Sequence, residues 1–206
     1  LDINGLYKKN GTLLFNNITF QESENKIFIK DLSFNKNFSI NYINNLDLDF
    51  LNKNKFKNKI SLKRNKKNYE ISGKSFDGTI LLDKMIKSDE KNAFSNIFND
   101  FNSDIKFNID KAYIDDYLYL NGINGNLKFS KNNLENLNLI AKFKNNKKLS
   151  FKIKTNENNE KITTIFSEYA KPLVKKYKFI KGFEEGTLEF YSIKKNNSST
   201  SNLKIY

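Results

Sequence analysis

Two-residue alternation of large apolar side chains with lysine, asparagine and acids is the feature that most limits what this chain can become. Ile105, Phe107 and Ile109 alternate with Lys106, Asn108 and Asp110, and Phe56, Ile60 and Leu62 stand against Lys55, Lys57, Lys59 and Lys63. Side chains two residues apart point to the same side of a strand, so each run has one apolar and one hydrated face. The expected fold is therefore sheet, with one face to be covered.

A short unit recurs within this pattern, as Gly11-Thr12-Leu13-Leu14-Phe15, Gly125-Asn126-Leu127-Lys128-Phe129 and Gly186-Thr187-Leu188-Glu189-Phe190. Each copy reads as the tight start of a strand. The runs that follow (Ile18 to Phe20, Leu134 to Phe143, Leu203 to Tyr206) are expected to pair back onto it as hairpins. Asn4-Gly5, Asn10-Gly11, Asn121-Gly122 and Asn124-Gly125 predict turns, because Asn-Gly supplies the positive φ angles of tight hairpins. Further strands are expected over Lys26 to Phe34, Phe38 to Tyr42, Leu46 to Leu51, Phe56 to Arg64, Tyr69 to Gly73, Leu118 to Leu120 and Leu149 to Lys154.

The period changes at Thr79. Ile80, Leu81, Leu82, Met85 and Ile86, then Ala93, Phe94, Ile97, Phe98 and Phe101, fall near helical spacing and predict two short helices within 78–102. A last helix is expected near 167–178, capped by Ser167, with Tyr169, Leu173, Val174 and Tyr177 on one face. Pro172 should bend it or move its start later. The organisation is a single segment, strand-rich over 1–76, helical over 78–102, then strands with one helix over 103–206. It lacks the βαβ alternation of a parallel sheet.

Chemistry is narrowed by what is missing. The chain has no histidine and no cysteine, which removes the commonest general base, thiol nucleophiles, thiolate metal sites and disulfides. Asp115-Asp116 and Glu184-Glu185 are adjacent pairs whose members would point to opposite faces of a strand. Asp47 and Asp49 share a face and could meet a cation, but beside Leu46, Leu48 and Phe50 they read as an outward acidic stripe. No catalytic residue, metal site or cofactor is expected. The net charge of +13 is carried by scattered lysines with Arg64 as the one arginine, whereas base readers rely on arginine. No nucleic-acid partner is expected, although a basic nucleic-acid-binding module remains the third reading.

The apolar alternation itself leaves two readings open. It can fill the closed core of a structural β domain, or line an open trough covered by lipid acyl chains. A core face and a lipid-facing face look alike in sequence. Leu1 and the strand-like run Asn202 to Tyr206 read as cut ends, so an interior piece of a longer chain is expected. No stretch approaches the ~20 apolar residues of a membrane-spanning helix.

The stretch Tyr169-Ala170-Lys171-Pro172-Leu173, followed by Tyr177-Lys178-Phe179-Ile180-Lys181-Gly182-Phe183-Glu184-Glu185-Gly186-Thr187-Leu188-Glu189-Phe190, resembles the helix, glycine turn and returning strand of the large AsmA-like proteins of the YhdP type. The order of Tyr69 to Gly73, Leu81-Leu82-Asp83, Ile105 to Leu120 and Gly122-Ile123-Asn124-Gly125-Asn126-Leu127 follows the same family. The resemblance covers about Tyr69 to Tyr206 and departs from the family in its lysine and asparagine enrichment and in Pro172.

It implies a mainly β fold with a few short helices, an antiparallel sheet curled like a taco into an open apolar groove. It also implies a periplasmic part of an inner-membrane-anchored protein of a Gram-negative bacterium, carrying phospholipid toward the outer membrane. The implied partners are phospholipid acyl chains and adjoining β-groove segments of the same parent chain. The side chains expected against lipid are Ile60, Leu62, Ile71, Ile105, Phe107, Ile109, Leu118, Leu120, Leu127, Phe129, Leu137, Leu139, Phe151, Ile153, Leu188 and Phe190.

Overall fold

The computed structural model describes residues 1–7, 11–53, 55–79, 101–115, 118–177, 185–195 and 198–206. It is mainly β. The strands are β1 (Asp2–Tyr7), β2 (Leu13–Glu22), β3 (Asn25–Phe34), β4 (Ile40–Leu51), β5 (Lys57–Asn65), β6 (Asn68–Asp77) and β7 (Ser103–Tyr113). They continue with β8 (Tyr119–Ser130), β9 (Asn133–Phe143), β10 (Lys148–Thr155), β11 (Lys161–Ser167), β12 (Leu188–Lys195) and β13 (Ser198–Ile205). Among the described residues one helix, α1, spans Lys171–Tyr177.

All 13 strands form one open sheet in chain order, β1 to β13. Neighbours are antiparallel except β6 and β7, which run parallel with Ile71 opposite Phe107. The sheet is thus mostly antiparallel, as expected, with one parallel pair that the sequence did not announce. A parallel neighbour needs a crossover of a dozen or more residues, and the chain between Asp77 and Ser103 is long enough to supply it. The two helices expected within 78–102 fall largely on residues outside the described ones.

Turn chemistry is where local sequence misled. Asn4-Gly5 lies inside β1, at a register shift against β2. Asn121-Gly122 and Asn124-Gly125 lie inside β8, where Gly122 (φ 56°) sits within a bulge against β9. A bulge absorbs the same positive φ that a turn would. Tight turns form instead at Lys131 (φ 46°) and Asn132 (φ 64°), and at Ser23 (φ 52°) and Lys66 (φ 57°). The first recurring unit is likewise no hairpin, since Ile18 to Phe20 continues β2; the other two units do pair back, β8 on β9 and β12 on β13.

The strands expected over Phe38 to Tyr42 and Leu46 to Leu51 merge into the single strand β4, which starts at Ile40, while Phe38 (φ 58°) lies in the preceding turn. The last helix starts at Lys171 with Pro172 as its second residue, the later start that a proline in the first turn permits. Ser167 ends β11 and is fully buried; its hydroxyl donates to the Tyr169 carbonyl (2.8 Å) and is not a helix cap.

Candidate functional site

Register turns the alternation of single strands into a feature of the whole sheet. Ile3, Ile18, Ile29, Leu46, Leu62 and Ile71 are successive cross-strand partners from β1 to β6. Phe107, Gly125, Leu139, Phe151, Ile165, Phe190 and Leu203 continue the series to β13. One apolar row thus crosses every strand, broken only by Gly125. A side chain there has no room, because a Cβ would lie 2.0 Å from the Asn138 carbonyl oxygen and 2.5 Å from Cζ of Phe107. The Phe107 ring occupies the space above the glycine.

One residue along, a second row runs Asn4, Asn17, Lys30, Asn45, Lys63, Glu70 and Lys106, then Asn126, Asn138, Lys152, Thr164, Tyr191 and Asn202. Adjacent residues face opposite ways, so the two rows give the sheet one apolar and one polar side. At about 4.8 Å per strand, twelve steps carry the apolar row over roughly 55–60 Å along the sheet.

The sixteen side chains expected against lipid divide into two groups. Ile60, Ile109, Leu120, Phe129, Leu137, Phe151, Ile153 and Leu188 are buried, while Leu62, Ile71, Ile105, Phe107, Leu118, Leu127, Leu139 and Phe190 are half-buried. Leu118 precedes β8 and packs against the main core cluster. Leu137, Phe151 and Ile153 form a second cluster, with Phe107, Leu127, Leu134, Leu139 and Ile165 against it. Sequence reading missed Ile3, Ile18, Ile29, Leu46, Ile165 and Leu203, which register with the neighbouring strands brings into the row.

It also missed what seals one end of this face. Ala170, Leu173 and Val174 at the start of α1 are buried in the same cluster as Leu120, Phe143, Leu149 and Leu188. Phe143 meets Tyr169 edge to face with centroids 5.7 Å apart.

The polar side carries paired charge. Asp49 binds Lys57 and Lys59, and these ammonium groups hold its carboxyl below the ordinary range. Lys74 meets Asp110 at 2.9 Å. A depression of about 550 Å³ opens on this side over Phe28, Asp47, Ser61, Ser72 and Asn108, successive partners in which two serines leave the dip. Asp47 accepts from Asn45 at 2.6 Å, and Asp115 ties a turn by accepting the Leu118 amide at 2.7 Å. Tyr69 is buried in the sheet, its hydroxyl 3.4 Å from the Ile43 amide, and burial raises its pKa.

Among the described residues no group of three or more acids is placed to hold a metal ion. Among them, too, no helix is long and apolar enough to cross a membrane. No protein-family model, curated protein or solved structure matches the chain.

Proposed function

We propose that this chain is a non-catalytic lipid-binding segment whose apolar sheet face forms a groove for phospholipid acyl chains. The observation that carries the reading is the apolar row running through all 13 strands, half-buried over much of its length. A row about 55 Å long that crosses every strand suits a ligand that lies along or passes over it. Covering two acyl chains, at about 0.8 kcal/mol per CH₂, removes a cost to lipid on the order of 20 kcal/mol.

The resemblance to AsmA-like proteins of the YhdP type extends this to a periplasmic bridge between inner and outer membrane. In that setting, adjoining β segments of the parent chain would continue the row from Ile3 on β1 and Leu203 on β13. The alternative is an envelope scaffold, favoured by the sealing of the Phe143 end by α1.

Lipid capture tests the choice. Phe107→Asp puts a carboxylate into the row, where desolvating it is expensive. Lipid co-purifying with the variant, counted by mass spectrometry, should fall at least tenfold with circular dichroism unchanged. Undiminished capture, or capture abolished in the native chain by salt alone, sinks the groove reading.

A further inference from the structure

The two edges of the sheet are complementary in direction, backbone parity and side chains. Among the described residues β1 pairs only with β2 and β13 only with β12, so each is bonded on one side. If all 13 strands reversed direction, β1 and β13 would point the same way; the one parallel pair, β6 with β7, makes them point in opposite ways. A copy of the sheet set beside another in the same orientation therefore brings β13 against β1 as an antiparallel pair, with the two apolar sides continuous.

In an antiparallel sheet successive residues direct their N–H and C=O to opposite neighbours. Thr187 and Tyr206 exchange both hydrogen bonds, so Lys204 also bonds toward β12, while Leu203 and Ser201 direct their groups outward. On β2 the turn Ser23-Glu24 closes Glu22 on Asn25, so Glu22, Phe20 and Ile18 bond toward β3. Ile3, opposite Ile18, thus carries its N–H and C=O on the outer side of β1, and so does Gly5. Ile3 and Leu203 can exchange hydrogen bonds.

Side chains match in that register. Ile3 opposite Leu203 of the next copy sets Leu1 against Ile205 on the apolar side, and Asp2 against Lys204 and Asn4 against Asn202 on the polar side. A shift of two residues keeps the faces but sets Asp2 against Tyr206 or Asn202 instead. Asp2 and Lys204 are exposed, and Ile3 is 51% exposed. Lys204 already faces Glu189 on β12, and in this register it stands between two acids.

We propose that β13 of one copy of this chain pairs antiparallel with β1 of the next, assembling copies head to tail into a continuous sheet whose apolar row runs from Leu203 into Ile3. The interface is heterologous, so copies add to an open end. The inference goes beyond the lipid reading and does not require it.

Sedimentation velocity of the whole chain over a concentration series tests the pairing. One strand pair is a small interface, and association is expected at about 100 μM to 1 mM. Ile3→Pro removes an outward N–H and leaves the β1–β2 ladder its bonds; it should weaken association at least tenfold at an unchanged melting temperature. Asp2→Lys and Lys204→Glu each oppose like charges and should each weaken it about threefold, while the double variant recovers most of the loss. The charge exchange decides the matter where Ile3→Pro lowers the melting temperature. A monomer throughout the series, or association unmoved by all of these variants, overturns the proposal. Association weakened by Ile3→Pro but indifferent to Lys204→Glu means that β1 pairs with itself, and overturns the head-to-tail order.

Discussion

The first four strands and the strands from β8 to β12 use the same alternation, yet they keep their apolar side chains very differently. In β1–β4 the row positions Ile18, Ile29 and Leu46 are half-buried, Ile3 is 51% exposed, and Leu32 is the one hydrophobic residue to reach the buried core. In β8–β12 Leu120, Phe129, Leu137, Phe143, Phe151 and Leu188 are all buried at 7% exposure or less. Alternation decides which way a side chain points. Coverage decides how much of it leaves water, and α1 with its flanking Tyr169 and Ala170 supplies coverage to the second region.

The comparison can be broken by truncation. Leu188→Ala or Phe143→Ala should cost about 2–5 kcal/mol, the range for emptying a sealed core position. Ile29→Ala, at an equivalent alternating position in the open region, should cost no more than about half as much, since its side chain has less surface to lose. Urea unfolding gives both numbers, and equal losses would mean that the two regions are equally covered.

A glycine sharpens the same contrast. Gly125→Ala forces a Cβ against the Asn138 carbonyl and the Phe107 ring, with an expected loss of about 1–3 kcal/mol from overpacking. Gly122→Ala, three residues away with nothing within 4 Å of the added Cβ, should be felt only through its positive φ. A larger loss at Gly122 than at Gly125 would remove the close-approach account.

The smallest expected effect is alkaline. Lys161 has a folded-state pKa below its ordinary 10.5, so between those two values the unfolded chain binds more protons. Stability from this group therefore rises as pH climbs through that interval. Tyr69, raised above its ordinary 10.0, acts in the opposite sense from there upward. The difference between native and Lys161→Gln melting curves isolates the lysine: the variant should be the more stable at neutral pH, with the gap closing toward pH 10.5. A gap that is constant with pH would count against a lowered Lys161 pKa.

Legibility followed the range of the interaction. The strands around Ile105, Leu137 and Phe151 were readable because alternation is written within five or six residues. The Asn-Gly pairs were misread, since a bulge inside β8 and a hairpin turn ask the same backbone angle of Gly122, and only the partner strand distinguishes them. Ile3, Ile18 and Leu203 went unselected because membership of a row that crosses the sheet depends on register with neighbours.

By itself the sequence determined a sheet with one apolar and one hydrated face, and a chain without histidine or cysteine chemistry. Tertiary structure alone decided that β6 and β7 run parallel, that the apolar positions line up across all 13 strands, and that the Phe143 end is sealed while the Ile29 region is half-open. The physical reason is that facing is a local consequence of the period-two backbone. Neighbour choice, register and coverage are set by contacts between residues far apart in the chain.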